Sequence, residues 1–333
     1  MKTLKKLSAA VLAFVMLFSL AACGNNPDGT GDGTEATTDI TREVKTKVAA
    51  LNGPTGMGLA KLASDRTYAY DVEYFSDPQE VVPLIVKGEV DIAALPVNLA
   101  ANLYKKTNGG IQILAVNTLG VLHIVSKGGT VKSLADLKGK TVYSTGQGST
   151  PEYILNYVLS KNGIDPEKDV DIQYKTAHNE LATLAVEGKA DICVLPEPFA
   201  TKVITKNTEY KKTVDLTAEW DKVCEASLAQ GCVVARTEYI KQNPEIINEF
   251  LEFNELSVNY LLSNPESAAL FLTEKGFFDS ANIALDAMPG CNIVFITGVE
   301  MKNAVKQVFE VLYQADPASV GGSVPDDGIY YGA

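Results

Sequence analysis

Short apolar runs alternate with segments of helical periodicity through most of the chain, from Lys45 onward. This alternation predicts strands joined by helical crossovers in mostly parallel sheets, the arrangement of an α/β protein. After Gly231 the pattern changes, because successive helices open at proline or serine with no strand between them. The predicted strands are 47–52, 70–75, 91–95, 139–145 and 169–175, and the late helices begin at Pro244, Pro265 and Ser280.

Two local patterns give sharper predictions. The apolar stretch 111–126 is too long for one ordinary strand, so we expect two segments that separate at Gly120. In the sequence Ser-Asp-Pro at 76–78, Ser76 or Asp77 is placed to cap a helix, which we expect to end at Gly88 in the left-handed conformation.

One short sequence occurs twice, 100 residues apart: GEVDIAALP at 88–96 returns as GKADICVLP at 188–196. Without a gap, nine of 21 aligned positions are identical, where unrelated sequences would share about one or two. The repeat predicts two lobes of similar structure with a cleft between them. Clefts at domain boundaries commonly hold small molecules.

The repeat and the strand pattern together predict the domain organisation. Lobe 1 comprises residues 45–122 and 232–333, and lobe 2 comprises residues 123–231. The chain then crosses between the lobes twice. Two crossings form a two-stranded hinge that lets the lobes open and close.

The N-terminal segment predicts export. Residues 1–22 have lysines before an apolar stretch that is too short to span a membrane, which is typical of a secretory signal. The segment closes with Leu-Ala-Ala before Cys23; its resemblance to the bacterial lipobox implies cleavage there and lipid anchoring of the cysteine in the membrane. The alternative is a plain secretory signal with an incidental cysteine. Residues 23–44 offer little to bury and are predicted to be a flexible tether.

Charge and cysteine usage narrow the function. The formal net charge of −12 argues against binding to nucleic acid. Cys232 and Cys291 each stand beside a glycine at the start of an apolar run, and we predict a disulfide between them, although sequence alone does not fix the pairing. The chain has two histidines and no CxxC spacing, so no metal site is expected.

Two glycine-rich turns, each after the first strand of a predicted lobe, are the best candidates for a binding site. Glycines allow backbone N–H groups to approach a ligand, and the start of the following helix attracts negative charge. The alternative is that the hydroxyls only cap helices and the glycines only make turns. The candidate ligand-binding residues in these turns are Asn52, Thr55, Met57, Thr145, Gln147, Ser149 and Thr150.

Four further candidates lie outside these turns. The repeats diverge at Pro-Val-Asn against Pro-Glu-Pro, so Asn98 and Glu197 are placed to contact a ligand from opposite sides; alternatively, Glu197 stabilises the start of its own helix. Asn117 interrupts an apolar run and binds either a ligand or the hinge. Trp220 is either an aromatic lid over a ligand or a half-buried structural residue.

No arrangement of residues predicts catalysis. The chain has no GxSxG sequence, and neither His123 nor His178 stands in a recognisable triad setting. We expect no catalytic residue and no cofactor.

The lipobox, LNGPTGMGLAKL, LADLKGKTVYSTGQGSTPEYIL and GKADICVLPEPFATKV together resemble the substrate-binding lipoproteins of bacterial ABC importers, within the NMT1/THI5-like group. This resemblance implies a type II periplasmic-binding-protein fold that closes on a small organic solute, aromatic, heterocyclic or anionic. It also implies an extracytoplasmic monomer that works with a membrane permease. Alternatives are an exported enzyme of the pyrimidine-synthase kind and a ligand sensor for a membrane kinase.

Overall fold

The structure is a computed structural model that describes residues 45–65 and 69–333. The predicted signal segment, the tether and Cys23 lie outside the described residues. Among the helices of the described part, none is long and apolar enough to cross a membrane.

The described chain alternates strands and helices as far as α8 and is mainly helical after β10. The strands are β1 (Thr46–Leu51), β2 (Tyr70–Phe75), β3 (Ile92–Pro96), β4 (Ile111–Leu119), β5 (Leu122–Lys127), β6 (Thr141–Thr145), β7 (Asp171–Lys175), β8 (Ile192–Pro196), β9 (Tyr210–Asp215), β10 (Ala229–Arg236) and β11 (Ile293–Ile296). The α-helices are α1 (Pro54–Met57), α2 (Ala60–Ser64), α3 (Pro78–Lys87), α4 (Val97–Lys106), α5 (Thr150–Lys161), α6 (His178–Val186), α7 (Phe199–Lys206), α8 (Leu216–Asp221), α9 (Thr237–Gln242), α10 (Pro244–Ser263), α11 (Pro265–Glu274), α12 (Ala281–Ala287) and α13 (Gly298–Ala315). Short 3-10 segments span Leu134–Leu137, Met288–Cys291, Pro317–Val320 and Asp327–Ile329.

The strands form two sheets, and the predicted two-lobed α/β fold is confirmed. The sheet of lobe 1 has the order β11-β4-β10-β3-β1-β2, and that of lobe 2 has the order β7-β6-β8-β5-β9. Each sheet has four strands of one direction. The strand that enters after a crossing, β5 or β10, runs antiparallel to both of its neighbours, so the sheets are mixed.

The repeated sequence occupies matching places in the two sheets. The units α3-β3-α4 and α6-β8-α7 have the same order, and β3 and β8 each lie between a parallel strand and an antiparallel one. Gly88 and Gly188 both have positive φ, 72° and 74°, where a side chain would be strained. The duplication predicted from sequence is therefore a duplication of structure.

The local predictions around the first helix of the repeat are confirmed. Asp77 accepts a hydrogen bond from the Gln79 N–H at 2.8 Å, and Glu80 reaches back to the Asp77 N–H at 3.2 Å. This reciprocal cap fixes the start of α3. The long apolar stretch also divides as expected, into β4 and β5 on either side of Gly120.

The chain changes sheet at two places. The first crossing is the two residues between β4 and β5, and the second is the segment 216–228 between β9 and β10. The boundaries expected from sequence, at 122/123 and 231/232, fall inside β5 and β10. Gly120 in the first crossing leaves no room for a side chain. A Cβ there would lie 2.3 Å from the Thr217 hydroxyl oxygen and 2.6 Å from Leu228 Cδ2, both in the second crossing. The two crossings therefore pack directly against each other.

The late helices begin where predicted, since α10 and α11 start at Pro244 and Pro265 and Ser280 caps α12. α10 packs on α2 of lobe 1, and α11 packs on both α10 and α12. The segment around α12 also contacts α7 of lobe 2, with the Lys202 ammonium 3.0 Å from the Asp279 carboxylate. This segment therefore links the lobes.

The predicted disulfide is wrong for this structure, in which Cys232 and Cys291 are both free thiols. Both side chains are fully buried, but they belong to different apolar clusters: Cys232 packs around β3, β4 and β10, and Cys291 packs with α10, α11 and α12. Burial raises the pKa of both thiols. Their role is that of small apolar core residues.

Candidate functional site

The strand register fixes where a cleft lies. Gly231 of β10 pairs with Pro96, and Leu122 of β5 pairs with Pro196. Both crossings therefore stand at the carboxyl ends of β3 and β8, and those ends face each other across the hinge. In α/β sheets, ligands bind at the carboxyl ends of the strands. The turns after β1, β3, β6, β7 and β8 consequently form the candidate site.

The lobe 1 side is formed by the turn after β1 and the start of α4. Asn52 is exposed, and its side-chain amide donates a hydrogen bond to the Ser76 hydroxyl at 3.3 Å. Thr55 is partly exposed in α1, and Asn98 is partly exposed in the first turn of α4. These three side chains remain available to a ligand.

Asn117 lies near the end of β4, three residues before the first crossing residue Gly120. Its side chain is buried, and its amide donates to the Thr55 carbonyl at 2.7 Å. A Cβ on Gly231 would lie 2.7 Å from the Asn117 oxygen, so that glycine makes room on β10 for the Asn117 side chain of the neighbouring strand β4. The Asn117 side chain therefore joins β4 to α1 within lobe 1.

Met57 and Trp220, both predicted to touch a ligand, lie in the core. Met57 is fully buried among the apolar side chains of α10, α11 and α12. Trp220 is also fully buried; its ring packs 5.3 Å from that of Tyr157 and its N–H donates to the Ala226 carbonyl at 2.8 Å. These positions correct the ligand-binding prediction, because neither side chain presents a surface to the cleft.

The lobe 2 side contains a contact between two side chains, Thr145 and His178, of which only Thr145 was predicted from the sequence as a site residue. The Thr145 hydroxyl lies 2.7 Å from His178 Nδ1, and the His178 ring lies 5.4 Å from the Phe199 ring at a tilt of 39°. Burial lowers the pKa of His178, which favours the neutral imidazole. His178 and Phe199, partly exposed after β7 and β8, thus form an aromatic wall that the buried Thr145 supports from the end of β6; these three residues are here called the ring wall.

His178 and Phe199 were missed for a physical reason. Each opens a helix, a position that by itself is also compatible with a purely structural role. The signal that was available is the repeat: at an offset of 100 residues, His178 stands where lobe 1 has Pro78, and Phe199 stands where it has Leu99. Both positions change in side-chain chemistry between the lobes.

The second glycine-rich turn is largely satisfied by its own groups. The Ser149 hydroxyl donates to the Gly146 carbonyl at 2.6 Å, and the Gly148 N–H donates to a Glu152 carboxylate oxygen at 2.5 Å. Glu152 thus supplies a negative charge at the start of α5. Gln147 is exposed and Thr150 is partly exposed.

Glu197 is buried and saturated. One carboxylate oxygen accepts the Thr201 N–H at 3.1 Å, and the other accepts the Thr201 hydroxyl at 3.0 Å and the Lys212 ammonium at 2.7 Å. Its side chain is 0 % exposed. The interpretation as a charge at the start of its own helix fits these contacts, and a ligand contact does not.

The lobes touch on both flanks of the hinge. The Tyr153 hydroxyl of α5 donates to the Asp316 carboxylate at 3.1 Å, beside a groove of about 530 Å³ between α5 and α13. On the other flank, the 3-10 segment Met288–Cys291 lies over β5 and β8. A Cβ on Gly290 would be 2.9 Å from His123 Nε2 and 3.0 Å from Glu197 Cγ.

Comparisons with known proteins agree with this architecture. Residues 71–268 match the model of the family described as NMT1/THI5 like. A Brucella abortus protein named only as a binding protein is 24 % identical over 188 residues, which cover 56 % of this chain and 57 % of that protein. This chain therefore spans little more than half the length of that curated relative.

Two solved structures share the fold. An ABC transporter protein from Parabacteroides distasonis superposes with a TM-score of 0.75 at 26 % identity, covering 86 % of this chain and 99 % of that one. The periplasmic aliphatic sulphonate binding protein SsuA from Escherichia coli superposes with a TM-score of 0.67 at 16 % identity, covering 84 % and 90 %. With two matching lobes and a family model that covers most of both sheets, the chain belongs to the NMT1/THI5-like family.

Proposed function

We propose that this protein is the solute-binding component of an ABC importer and that it captures a small organic solute between its lobes. The observation that carries the proposal is the pair of matching sheets whose strand ends face each other across two adjoining crossings. The family match and the likeness to ABC transporter and sulphonate-binding proteins support it.

Binding and closure are coupled by differential affinity. A solute that touches both lobes binds the closed form better than the open form, and its binding therefore increases the closed population. A permease in the membrane recognises the closed form and receives the solute. We assign the protein to the outer side of the membrane as a monomer anchored through Cys23.

The ring wall gives the solute its chemistry. His178 and Phe199 offer two aromatic surfaces, and the Thr145 hydroxyl lies next to them. Such a wall suits a planar aromatic or heterocyclic solute with a hydrogen-bonding group. Because Glu152 already places a carboxylate at the start of α5, we assign an anionic group of the solute a smaller part. Asn52, Thr55, Asn98, Gln147 and Thr150 complete the proposed contacts.

The experiment is thermal-shift screening of the full chain against heterocycles, vitamin precursors and sulfonates. A solute present at 100 times its dissociation constant stabilises the protein by about 2.7 kcal/mol. Thr145→Val removes the hydroxyl that bonds His178 Nδ1 and is expected to weaken binding about tenfold, because the hydrogen bond that orients the His178 ring is lost. Thr141→Val changes an exposed residue at the opposite end of β6 and serves as the matched control.

Two results would contradict the proposal. One is a panel in which no compound shifts the melting temperature. The other is a bound solute whose affinity is the same in the Thr145→Val and Thr141→Val variants. Chemical conversion of a bound compound, followed by mass spectrometry, would instead favour the enzyme alternative.

A further inference from the structure

A buried polar cluster lies beside the hinge in lobe 2 and takes no part in the proposed solute contacts. It consists of His123, Glu197, Thr201 and Lys212, which come from β5, the end of β8, α7 and β9. His123 is 6 % exposed and Glu197 is 2 % exposed. His123 Nε2 is buried and lies 3.8 Å from the nearer Glu197 oxygen.

The cover of this cluster comes from the other lobe. The segment Met288–Cys291, here called the latch, directly precedes β11 of the lobe 1 sheet, and its Gly290 contacts both His123 and Glu197. Asn292 then donates from its side chain to the Gly120 carbonyl at the first crossing. The latch is therefore tied to the hinge and seals two ionisable side chains of lobe 2.

We propose that the latch is a proton-sensitive closing contact, which holds the lobes together while His123 is neutral and releases them when His123 is protonated. Separation of the lobes lifts Gly290 from the cluster and hydrates the ring. The open form therefore binds a proton more readily than the closed form, and acid favours opening. The inference rests on the lobe motion of the proposed function.

The groups around His123 determine whether its pKa in the closed form is raised or lowered. Burial lowers its pKa and is the largest influence; the carboxylates of Glu197 and Asp215 and a hydrogen bond with the Gly290 backbone act to raise it, and the Lys212 ammonium acts to lower it. Next to Gly290, the Cys291 thiol lies within the fields of Glu197 and Lys212. The net direction is downward, so the closed form holds the neutral ring where a hydrated histidine, with a pKa of about 6.5, begins to protonate.

The test is hydrogen–deuterium exchange of the full chain between pH 7.5 and 5.5, corrected for the intrinsic pH dependence of exchange and without added solute. Corrected exchange in peptides covering 284–292 and 121–127 is expected to rise as the pH falls, by at most about tenfold per pH unit for one linked proton. Peptides from α10 provide the internal reference.

Three variants make the outcome decisive. His123→Gln keeps a polar side chain that does not titrate and is expected to remove the pH response. His178→Gln removes the other imidazole, which lies away from the latch, and is expected to keep it. Gly290→Ala places a methyl group against His123 and Glu197 and is expected to raise latch exchange severalfold even at pH 7.5.

The inference is overturned if His123→Gln keeps the wild-type pH response, or if Gly290→Ala exchanges like the wild type at pH 7.5. His123→Asn replaces the glutamine variant if that protein loses native protection in α10. Because the measurement uses no solute, it can fail while solute binding succeeds, and the reverse.

Discussion

The two lobes use one scaffold with opposite chemistry at the same place. The strand register matches His123 with Cys232, because these residues pair with Leu195 and Leu95. The repeat and the register also match three more pairs: Glu197 with Val97, Thr201 with Ala101, and Lys212 with Ile113. Lobe 1 therefore fills with apolar side chains a region that lobe 2 fills with a salt bridge and a histidine.

The difference teaches what the duplicated fold requires and what it does not. Lobe 1 adopts the same sheet-and-helix arrangement with an apolar set at these positions. A buried ion pair loses hydration and is rarely more stable than well-packed apolar residues. The polar set in lobe 2 is therefore better explained by the latch that covers it than by a need of the fold.

The largest expected effect comes from breaking the salt bridge on one side. Lys212→Met leaves the fully buried Glu197 carboxylate without its cation, and the free energy of unfolding should fall by about 3 kcal/mol. Urea denaturation followed by the fluorescence of Trp220, the only tryptophan, measures it. The double variant Glu197→Val/Lys212→Ile copies lobe 1 and should recover stability to within about 1 kcal/mol of the wild type. A double variant as unstable as the single one would contradict the comparison.

Placing a histidine at the matching position of lobe 1 should lower the free energy of unfolding somewhat less than breaking the salt bridge does. Cys232→His puts an imidazole into the fully buried lobe 1 position, where Val97 stands in place of the carboxylate. Overpacking and an unpaired polar group are expected to lower the free energy of unfolding by about 2 kcal/mol. The control is Cys232→Ala, which removes the thiol without adding a polar group. Equal losses in the two variants would show that the environment of the imidazole is unimportant.

Substituting the two repeated aspartates, Asp91 and Asp191, should give smaller changes in stability that differ between the lobes. Asp91 accepts the Lys47 N–H at 3.2 Å and pairs with the Arg236 guanidinium at 2.8 Å, whereas Asp191 is exposed. Asp91→Ala should lower the free energy of unfolding by about 1 kcal/mol. The matched variant Asp191→Ala should denature at the wild-type urea concentration. Equal shifts in the two midpoints would show that the partners of Asp91 add nothing.

The smallest effect is the pH dependence of stability. Burial lowers the pKa of both His123 and His178, so the unfolded chain binds more protons than the folded one below about pH 6.5. The contribution of the two histidines to the free energy of unfolding should therefore be fully present above that pH and decrease as the pH falls toward the lowered pKa values. The double variant His123→Gln/His178→Gln should show a weaker decrease between pH 7.5 and 5.5, and an unchanged slope would contradict the assignment.

The sequence predicted the parts of the fold that depend on local pattern. Asp77 and Gly88 mark the ends of α3 through their own backbone preferences, and the copied GKADICVLP places β8 where GEVDIAALP places β3. The division at Gly120 followed from the length of one apolar stretch. Such signals act within about ten residues, which is why a single sequence is enough to find them.

The site was harder to predict because its chemistry depends on long-range contacts. Glu197 has the sequence context of a ligand contact, but Lys212, fifteen positions on, neutralises it. Met57 follows a glycine-rich turn, yet α10 covers it. The pairing of Thr145 with His178 spans 33 residues and two strands. None of these partners leaves a local trace in composition or periodicity.

The short first crossing limits how the two lobes can separate. Only two residues join β4 to β5, and three successive Cα–Cα steps reach at most about 11 Å. The two sheets therefore cannot separate at this crossing. When the lobes open, the gap between the sheets is widest at the edge farthest from it. That edge is formed by β2 and β7, which are the outermost strands on the side of each sheet away from the crossing. We therefore expect a solute captured as proposed to enter from the β2/β7 side, and its size to be limited by how far those two strands move apart.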